Sequence, residues 1–438
     1  MPRRPAPRAS RLFGAVLLLA VLAAGCGPVQ IASGPRGTPR PAALPLAARV
    51  VWIDTQALFD SLGTSERLRA GLERLARTGF TDVVVEVKPY GGDVAYPSRT
   101  ATRLVASGGH TPDPSWDAAA DAVRTGRALG MRVHLAANVF AEGDHARRTG
   151  AVYSARSTWQ TTVVGPDGTP RASTRLRPDE RASDVAYTNP VRPDVRNAAL
   201  AVLSELAGRY QPDGVLLDRM RFESALADVS PESREAFERW RRVPVERWPA
   251  DVAVRTGAGT AFTPGPLYPE WLEWRALTLR TFVEVARQAV RGANPTTRLG
   301  LVVPADYAAA AEVGLNWGAV SYDPRADYPW ATPMYREKSL AAFVDVLVPE
   351  MPVGLARADT VLLRTIERRV ARTTRVVPLV QVRVFPTAEA FEEAVRATLA
   401  TSGSLVVSTY GDLARRPSFW AALTRVFPPA PPETAAAQ

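Results

Sequence analysis

Short runs of branched and aliphatic residues alternate with longer amphipathic stretches along most of the chain. Eight such runs are continuously apolar, and they cover residues 49–55, 81–89, 132–140, 214–222, 298–306, 343–351, 375–382 and 404–412. Continuous apolar runs are typical of parallel strands that helices cover, whereas half-exposed strands alternate polar and apolar positions. The pattern therefore predicts eight buried parallel strands.

The stretches between these runs place apolar residues at helical spacing. In "SERLRAGLERLARTGF", for example, Ser65 is a candidate helix cap and Gly79 a candidate stop. Eight strands that alternate with helices predict a (β/α)8 TIM barrel with long βα loops. A doubly wound α/β sheet is the alternative, but the first strand leads into "DTQALFDSLGTSE", which lacks the G-x-G-x-x-G phosphate turn.

Polar residues gather where the predicted strands end, which is where TIM barrels carry their active sites. Seven of the eight strands end in a carboxylate or lead into one, and the residues at these ends are Asp54, Glu86, Lys88, Asn138, Glu142, Asp218, Arg219, Arg221, Asp306, Glu350, Gln381, Arg383, Tyr410 and Asp412. Each of them taken singly also fits a structural role, as a helix cap or an ion-pair partner. Asp218, which ends "DGVLLD" and precedes "RMRF", is the position where we favour the functional interpretation.

Metal, cysteine and serine chemistry find little support in the sequence. The three histidines, at 110, 134 and 145, form no H-x-H or H-E-x-x-H pattern, and His134 inside the third strand fits a hydrogen-bonded core residue. The chain has one cysteine and no G-x-S-x-G motif. We therefore expect no metal and no cofactor, and paired-carboxylate chemistry remains.

The N-terminal residues have the pattern of an export leader. Four arginines precede an apolar run over residues 12–24, which is shorter than the ~20 residues of a membrane span. "LAAGC" resembles a bacterial lipobox, so we expect a leader over 1–25, lipidation of Cys26, a Pro/Gly/Ala-rich tether over 26–47, a folded body over 48–427 and a disordered tail over 428–438. An ordinary secretory signal is the alternative.

The formal charge of +10 comes almost entirely from arginine, since lysine occurs only at positions 88 and 338. No basic run is interleaved with aromatic residues, and an exported protein has little access to nucleic acid, so no nucleic-acid partner is expected. We expect a monomer attached to a bacterial membrane through its N-terminal lipid.

Several stretches resemble the glycoside-hydrolase-like "family 10" group of bacterial envelope barrels. They are "GFTDVVVEVKPYGGDVAYPS", "GMRVHLAANVFAEGDH", "YTNPVRPDVRNAAL", "DGVLLDRMRFESALADVSPESREAFERW" and "EVGLNWGAVSYDPRADYPWATPMY". The resemblance implies a TIM barrel that hydrolyses glycosidic bonds, with envelope glycans such as peptidoglycan strands as substrates. It also implies that Asp218 is the acidic residue at the end of the fourth strand, and that polar positions of the group correspond to Glu86, Lys88, Asn138, Glu142 and Arg221. "VPEMPVGLA" after the sixth strand departs from the group, so Glu350 is particular to this sequence.

Glycoside cleavage needs one carboxyl that protonates the leaving oxygen and a second that attacks or activates water. Arginines beside Asp218 would favour its ionised form, and Glu350 is our first candidate for the acid, with Glu86 and Glu142 as rivals. For substrate binding we expect a set comprising Asp54, Lys88, Asn138, Arg219, Arg221, Trp317, Tyr322, Trp330 and Tyr410. The loop aromatics suit stacking on sugar rings, although they equally suit a small core within their own loop.

These features together predict a membrane-anchored glycoside hydrolase acting on a cell-envelope or extracellular polysaccharide, with peptidoglycan glycan strands as the expected substrate. The alternative is a lipid-tethered, non-catalytic TIM barrel that binds glycans. A metal-dependent deacetylase is disfavoured by the few histidines.

Overall fold

Eight parallel strands close on themselves in a computed structural model that describes residues 47–257, 259–352 and 357–427. The strands are β1 (Arg49–Ile53), β2 (Asp82–Lys88), β3 (Arg132–Asn138), β4 (Gly214–Asp218), β5 (Arg298–Pro304), β6 (Val346–Glu350), β7 (Arg375–Val376 and Leu379–Gln381) and β8 (Leu405–Ser408). They pair in chain order, and β8 pairs with β1. The chain therefore forms a (β/α)8 TIM barrel, which confirms the predicted fold and excludes the doubly wound sheet.

Helices follow the strands and cover the outside of the barrel. They are α1 (Thr55–Phe59), α2 (Ser65–Thr78), α3 (Ala118–Ala128), α4 (Pro193–Glu205), α5 (Pro231–Arg241), α6 (Tyr268–Ala293), α7 (Tyr307–Glu312), α8 (Arg357–Val370), α9 (Ala388–Ser402), α10 (Tyr410–Ala414) and α11 (Pro417–Val426). Among the described residues, no helix is both long and apolar enough to cross a bilayer.

The ends of α2 show how local sequence sets these boundaries. Thr64, and not the predicted Ser65, is the N-cap, because its hydroxyl accepts a hydrogen bond from the Arg67 amide. Gly79 ends the helix in the left-handed conformation with φ 98°, as its lack of a Cβ allows. The chain then turns directly into β2.

Two long connections rise above the carboxyl ends of the strands. Residues 139–192, between β3 and α4, contain the antiparallel pairs 141–144 with 185–187 and 162–164 with 170–172. Residues 219–267, between β4 and α6, contain α5 and a third antiparallel pair, 253–255 with 262–264. We call residues 139–192 the β3 excursion.

The barrel interior is filled by apolar side chains, most of them small or branched, that point inward from every strand. This inner cluster comprises Ala48, Val50, Trp52, Val84, Ala136, Leu216, Val302, Val348, Val377, Leu379 and Val406. Because side chains alternate between the two faces of a strand, the next inward position lies two residues further along. Polar residues occupy that position on most strands, so the sheet itself delivers them to the mouth of the barrel.

The predicted leader at 1–25, Cys26 with its lipid, nearly all of the tether and the tail at 428–438 lie outside the described residues. They stay predictions.

Candidate active site

The floor of the barrel mouth is a ring of polar side chains, each two residues beyond a member of the inner cluster. Its members include Glu86 on β2, Asn138 on β3, Asp218 on β4, Glu350 on β6 and Gln381 on β7. Asn138 and Asp218 are direct neighbours in the pairing of β3 with β4. The strand periodicity therefore brings together three carboxylates that are far apart in sequence.

Asp218 is held by the residue that follows it. The Arg219 amide donates to Oδ1 of Asp218 at 2.7 Å, and the Arg219 guanidinium donates to Oδ2 at 2.9 Å. This double contact requires a turn immediately after β4, and Arg219 has a φ of +45°, which is uncommon for a residue with a side chain. The apolar run over 214–222 therefore contributes a strand only as far as Asp218.

A chain of hydrogen bonds leads from Arg219 along the neighbouring strands β3 and β2. Its guanidinium also donates to Asn138 Oδ1 at 2.6 Å, and Asn138 Nδ2 donates to Glu86 Oε1 at 2.9 Å. Asn138 is completely buried, so both ends of its amide are fixed by these contacts. Asp218, Arg219, Asn138 and Glu86 thus form one rigid polar unit.

Glu86 is the most fully hydrogen-bonded carboxylate of the mouth. Its Oε2 accepts from the Thr55 amide at 3.0 Å and from the Thr55 hydroxyl at 2.9 Å, in addition to the bond from Asn138. Burial raises the pKa of Glu86, while the Thr55 amide and the positive charge of Arg219 oppose that rise. With both oxygens engaged, Glu86 is placed to position Asn138 rather than to transfer a proton to substrate.

Glu350 differs from the other carboxylates because no described residue donates a hydrogen bond to it. Its side chain reaches solvent in the mouth, and neighbouring protein atoms still exclude part of the water around it. These surroundings raise the pKa of Glu350 by making the charged form harder to hydrate, and the negative charge of Asp218 raises it further. Arg219, Arg221 and Arg383 oppose that rise. Glu350 is therefore an accessible carboxyl that is biased towards its protonated form.

Glu142, unlike Glu350, has both carboxylate oxygens bound by other side chains. Its Oε1 lies 3.0 Å from Lys88 Nζ and its Oε2 lies 3.1 Å from the Arg156 guanidinium, with the Glu142 and Lys88 side chains buried. Lys88 also donates to the Asn138 carbonyl at 2.7 Å. Both residues were candidates for the site, but the structure uses them to fasten the β3 excursion to β2.

Comparison with known proteins identifies the family and the fold of the chain. A sequence profile of the family described as Glycosyl hydrolase-like 10 matches residues 47–331, which is more than half of the chain. The chain belongs to the Glycosyl hydrolase-like 10 family. The match spans β1 to β5 and includes Asp218 and Glu86, whereas Glu350 lies beyond its end.

Solved structures show the same barrel at low sequence identity. The glycoside hydrolase domain of PgaB (BpsB) from Bordetella bronchiseptica has a TM-score of 0.59 and 15% identity, covering 87% of this chain and 99% of that one. An α-L-fucosidase from Paenibacillus thiaminolyticus has a TM-score of 0.58 and 11% identity, covering 87% of this chain and 49% of that one. At these identities the likeness concerns the fold alone.

A curated relative is the S-layer-related protein of Niallia circulans, which is 29% identical over 317 residues. The aligned part is 68% of this chain but only 19% of that protein. This member of the Glycosyl hydrolase-like 10 family therefore corresponds to one part of a much longer relative.

Next to the mouth lies a buried carboxyl that sequence reasoning missed. Glu223 is 3% exposed, and its Oε2 has no hydrogen-bond partner among the described residues. Burial and the nearby charge of Asp228 raise the pKa of Glu223 to about 8, against the opposing charges of Arg221 and Arg181. The sequence signal, a glutamate shortly after a strand end, does not distinguish a buried residue from an exposed one.

Arg221, a predicted substrate-binding residue, lies between this carboxyl and the mouth. Its guanidinium is 5.1 Å from the centre of the Tyr187 ring, and it forms no hydrogen bond or ion pair with the described residues. Tyr187 is itself buried with its hydroxyl unpartnered among those residues. Arg221 is therefore a cation of the mouth that remains available to a ligand.

The aromatic loop after β5 packs on itself. Trp317 is fully buried and donates from its indole N–H to the Pro304 carbonyl at 3.2 Å. The Tyr322 hydroxyl bonds Asp327 at 2.6 Å, and Trp330 stacks on Tyr328 with ring centres 5.2 Å apart. The structure thus assigns Trp317 to a loop core and leaves Tyr322 and Trp330 partly exposed at its edge.

Two other predicted binding residues have structural roles at the strand ends. Asp54 caps α1 by accepting from the Ala57 amide at 2.9 Å, and it also accepts from the Gly411 amide at 3.3 Å. Tyr410 is buried and packs edge-on against Trp420. Neither is presented to the mouth as a free sugar-binding group.

No group of three or more metal-ligating side chains occurs within residues 47–257, 259–352 and 357–427. His134 points into the opposite, amino-terminal end of the barrel, where its Nε2 lies 3.0 Å from Asp82 Oδ1. The predicted core role for this histidine agrees with that contact.

Proposed function

We propose that this protein is a glycoside hydrolase that cleaves a cell-envelope or extracellular polysaccharide with Asp218 and Glu350. One observation carries the proposal. Asp218 is fixed by two N–H groups of Arg219, while Glu350 is accessible, free of hydrogen bonds from described residues, and shifted towards its protonated form partly by the charge of Asp218. Glycoside cleavage requires two carboxyl groups with different roles, one that donates a proton and one that attacks or activates water.

In the proposed reaction, Glu350 gives its proton to the glycosidic oxygen as the bond from that oxygen to the anomeric carbon breaks. Asp218 either attacks the anomeric carbon, forming an ester that water later hydrolyses, or takes a proton from the water that attacks it. In either case one water is consumed, and its hydrogen and hydroxyl end on the two sugar products. The configuration of the first product, followed by proton NMR, distinguishes the retaining route from the inverting one.

The neighbouring residues hold this pair in place. Arg219 offsets the negative charge of Asp218, and Asn138 and Glu86 keep the Arg219 guanidinium from turning away. Such fixed dipoles and charges act on the reacting centre without reorganising during the reaction. Substrate contact in the mouth falls to Arg221 and to the partly exposed Tyr322 and Trp330.

The cell envelope as the place of action is supported by two observations. The chain opens with a leader pattern and a lipobox-like "LAAGC", so Cys26 would carry a lipid that holds the barrel at a bacterial membrane. The relative from Niallia circulans is named an S-layer-related protein. Within the envelope, peptidoglycan glycan strands are the substrate we propose first.

The test is cleavage by the full chain, purified in detergent, of a glycan panel that includes peptidoglycan strands with and without stem peptides. Mass spectrometry reads the products. Asp218→Asn and Glu350→Gln should each reduce turnover by roughly 10²–10⁴-fold. Glu393→Gln, an exposed glutamate of α9 without a hydrogen bond to the described residues, is the matched control and should leave turnover unchanged.

The competing function is a glycan-binding barrel without catalysis. It predicts that wild type and Asp218→Asn bind the same glycan tightly and that neither releases products. That result would replace the hydrolase proposal. If wild type cleaves the glycan, and both carboxylate variants still bind it but no longer cleave it, the hydrolase proposal is supported.

A further inference from the structure

We propose that a polar groove beside the barrel mouth is an accessory subsite that binds uncharged, hydroxyl-rich sugar units of the polysaccharide, which rests on the proposed hydrolase function. The groove has a volume of about 460 Å³ and lies between residues 157–162 of the β3 excursion and the N-termini of α4 and α5. That volume is in the range of small-molecule sites in proteins, ~300–1,000 Å³. We call this cavity the excursion groove.

The lining of the excursion groove favours hydroxyl groups as ligands. Apart from Pro231, every residue that lines it has a polar side chain. The hydroxyls of Ser157, Thr158 and Thr162 make no hydrogen bond with the described residues, and each can donate one bond and accept others. A surface that both donates and accepts is complementary to sugar hydroxyls, which do the same.

The floor of the groove is rigid. Asn189, 1% exposed, donates from Nδ2 to Asp228 Oδ1 at 2.9 Å and to the Ser230 hydroxyl at 3.0 Å. Asp228 is fully buried and also accepts from the Thr162 amide at 2.7 Å. Since these groups are ordered before a ligand arrives, binding loses less conformational entropy than at a flexible surface.

Charge on the rim argues against an anionic ligand. Arg192 is the one cation of the lining, and its guanidinium lies 2.9 Å from Asp194 and 3.0 Å from Glu232. Two carboxylates therefore offset its charge, which leaves no surplus to attract phosphate or carboxylate. Pro231 is the one lining residue without a polar side chain, which argues equally against an apolar ligand.

The groove continues the path of a polymer bound at the mouth. Asn189 follows Tyr187 by two residues, which span at most ~7 Å of chain. The Tyr187 ring lies under Arg221, which comes three residues after Asp218. The N-terminus of α4 lies at the same face of the barrel as the carboxyl ends of the strands, because the helices of a βα barrel run antiparallel to its strands. A glycan with its cleaved bond at Asp218 can therefore extend past Arg221 and Tyr187 into the excursion groove.

The test is a double variant, Ser157→Ala with Thr162→Val, which removes two hydroxyls without adding bulk. Kinetics are measured with a length series of oligosaccharides from the cleaved glycan. Because two hydrogen bonds to substrate are lost, KM for long substrates should rise roughly tenfold or more, while kcat and the KM of the shortest substrate stay unchanged. Thr281→Val, which removes an exposed hydroxyl from α6, is the control and should change nothing.

An equal effect on short and long substrates, or no effect on either, would overturn the subsite. A second arm measures binding by calorimetry in the Asp218→Asn background, with a panel of neutral soluble oligosaccharides. If wild type cleaves nothing, the hydrolase proposal fails while this arm still judges the groove. Length-dependent binding that the double variant weakens would support the subsite, and binding that is absent or unaffected by the variant would refute it.

Discussion

Lys88 and Glu142 form a buried ion pair, with Nζ and Oε1 3.0 Å apart and only 4% and 6% of their side chains exposed. The pair joins β2 to the first segment of the β3 excursion, and Arg156 adds a second cation at 3.1 Å from Glu142. Gly92 passes so close that a Cβ there would lie 2.7 Å from Glu142 Oε2, and its φ of +96° also favours glycine. Lys88, Arg156 and Gly92 thus enclose the Glu142 carboxylate, which leaves no room for it to contact a substrate.

We predict that Glu142→Gln acts on stability. Removing one partner leaves the buried Lys88 charge undercompensated, which typically costs about 3–5 kcal/mol. Urea unfolding should show this loss, and Lys88→Met should show a similar one. The double variant should lose less than the sum, because the two residues interact directly. An unchanged unfolding free energy together with abolished turnover would instead make Glu142 a catalytic residue.

The pKa of Glu350 should respond to Arg383, an exposed residue whose positive charge lowers it. Arg383→Gln removes that charge, so the pKa of Glu350 should rise. A general acid works only while protonated, and the alkaline limb of the kcat/KM profile should consequently move to higher pH. Arg69→Gln on the exposed face of α2 serves as the control. A shift to lower pH, or an identical shift in the control, would contradict the assignment of Glu350 as the acid.

A second prediction for Glu350 concerns the leaving group. Protonation by an acid matters most when the departing oxygen is a poor leaving group, as in a sugar–sugar bond. Glu350→Gln should therefore lose roughly 10²–10⁴-fold on the polysaccharide and much less on a dinitrophenyl glycoside of the same sugar. Asp218→Asn should lose activity on both. Equal losses for Glu350→Gln on the two substrates would indicate a role other than proton donation.

Trp317 provides a test of the loop core. Its side chain is fully buried against Tyr307, with ring centres 4.9 Å apart, so Trp317→Ala should destabilise the fold by about 3–5 kcal/mol. Trp330→Ala, at the partly exposed edge, should cost less stability. If the two variants instead raise KM equally without changing the unfolding midpoint, both rings contact substrate.

The barrel could be predicted from sequence because strand burial and periodicity are written in local patterns. Eight continuous apolar runs and their separations are sufficient for the fold, and the alternation along each strand explains why Glu86, Asn138, Asp218 and Glu350 all face the mouth of the barrel. Seven strand ends with acidic groups also indicated which end of the barrel carries these polar side chains. These inferences need only residues that are close to one another in the sequence.

The roles of the individual residues could not be predicted in the same way, because they depend on partners distant in sequence. Glu142 and Glu350 both follow apolar strands, yet one meets Lys88 and Arg156 while the other meets no donor among the described residues. Trp317 and Trp330 fall in one loop but differ in burial. The turn at Arg219 likewise contains no glycine that would predict it from sequence. Contacts of Arg219 with Asp218 and Asn138 maintain its φ of +45° instead.

Glu223 should make the stability of the fold depend on pH. Its pKa is about 8 in the folded protein and about 4.3 in an unfolded chain, so the folded state alone holds the proton between those values. The free energy of unfolding should therefore fall as pH rises from about 4.3 to 8, by at most about 5 kcal/mol. Below and above that window, Glu223 should add no pH dependence. Glu223→Gln has no such proton and should lose that slope.

Urea unfolding of wild type and Glu223→Gln at pH 5 and pH 8 measures the difference. The variant should resemble wild type at pH 5 and exceed it in stability at pH 8, because glutamine needs no proton to remain uncharged in this buried place. Asp228, whose pKa is also raised by burial, is present in both proteins, and because its charge raises the pKa of Glu223, the difference between the two slopes measures Glu223 together with its coupling to Asp228. Glu393→Gln should keep the wild-type slope. Parallel pH dependence in wild type and Glu223→Gln would show that Glu223 is ionised in the folded protein and paired with Arg221 or Arg181.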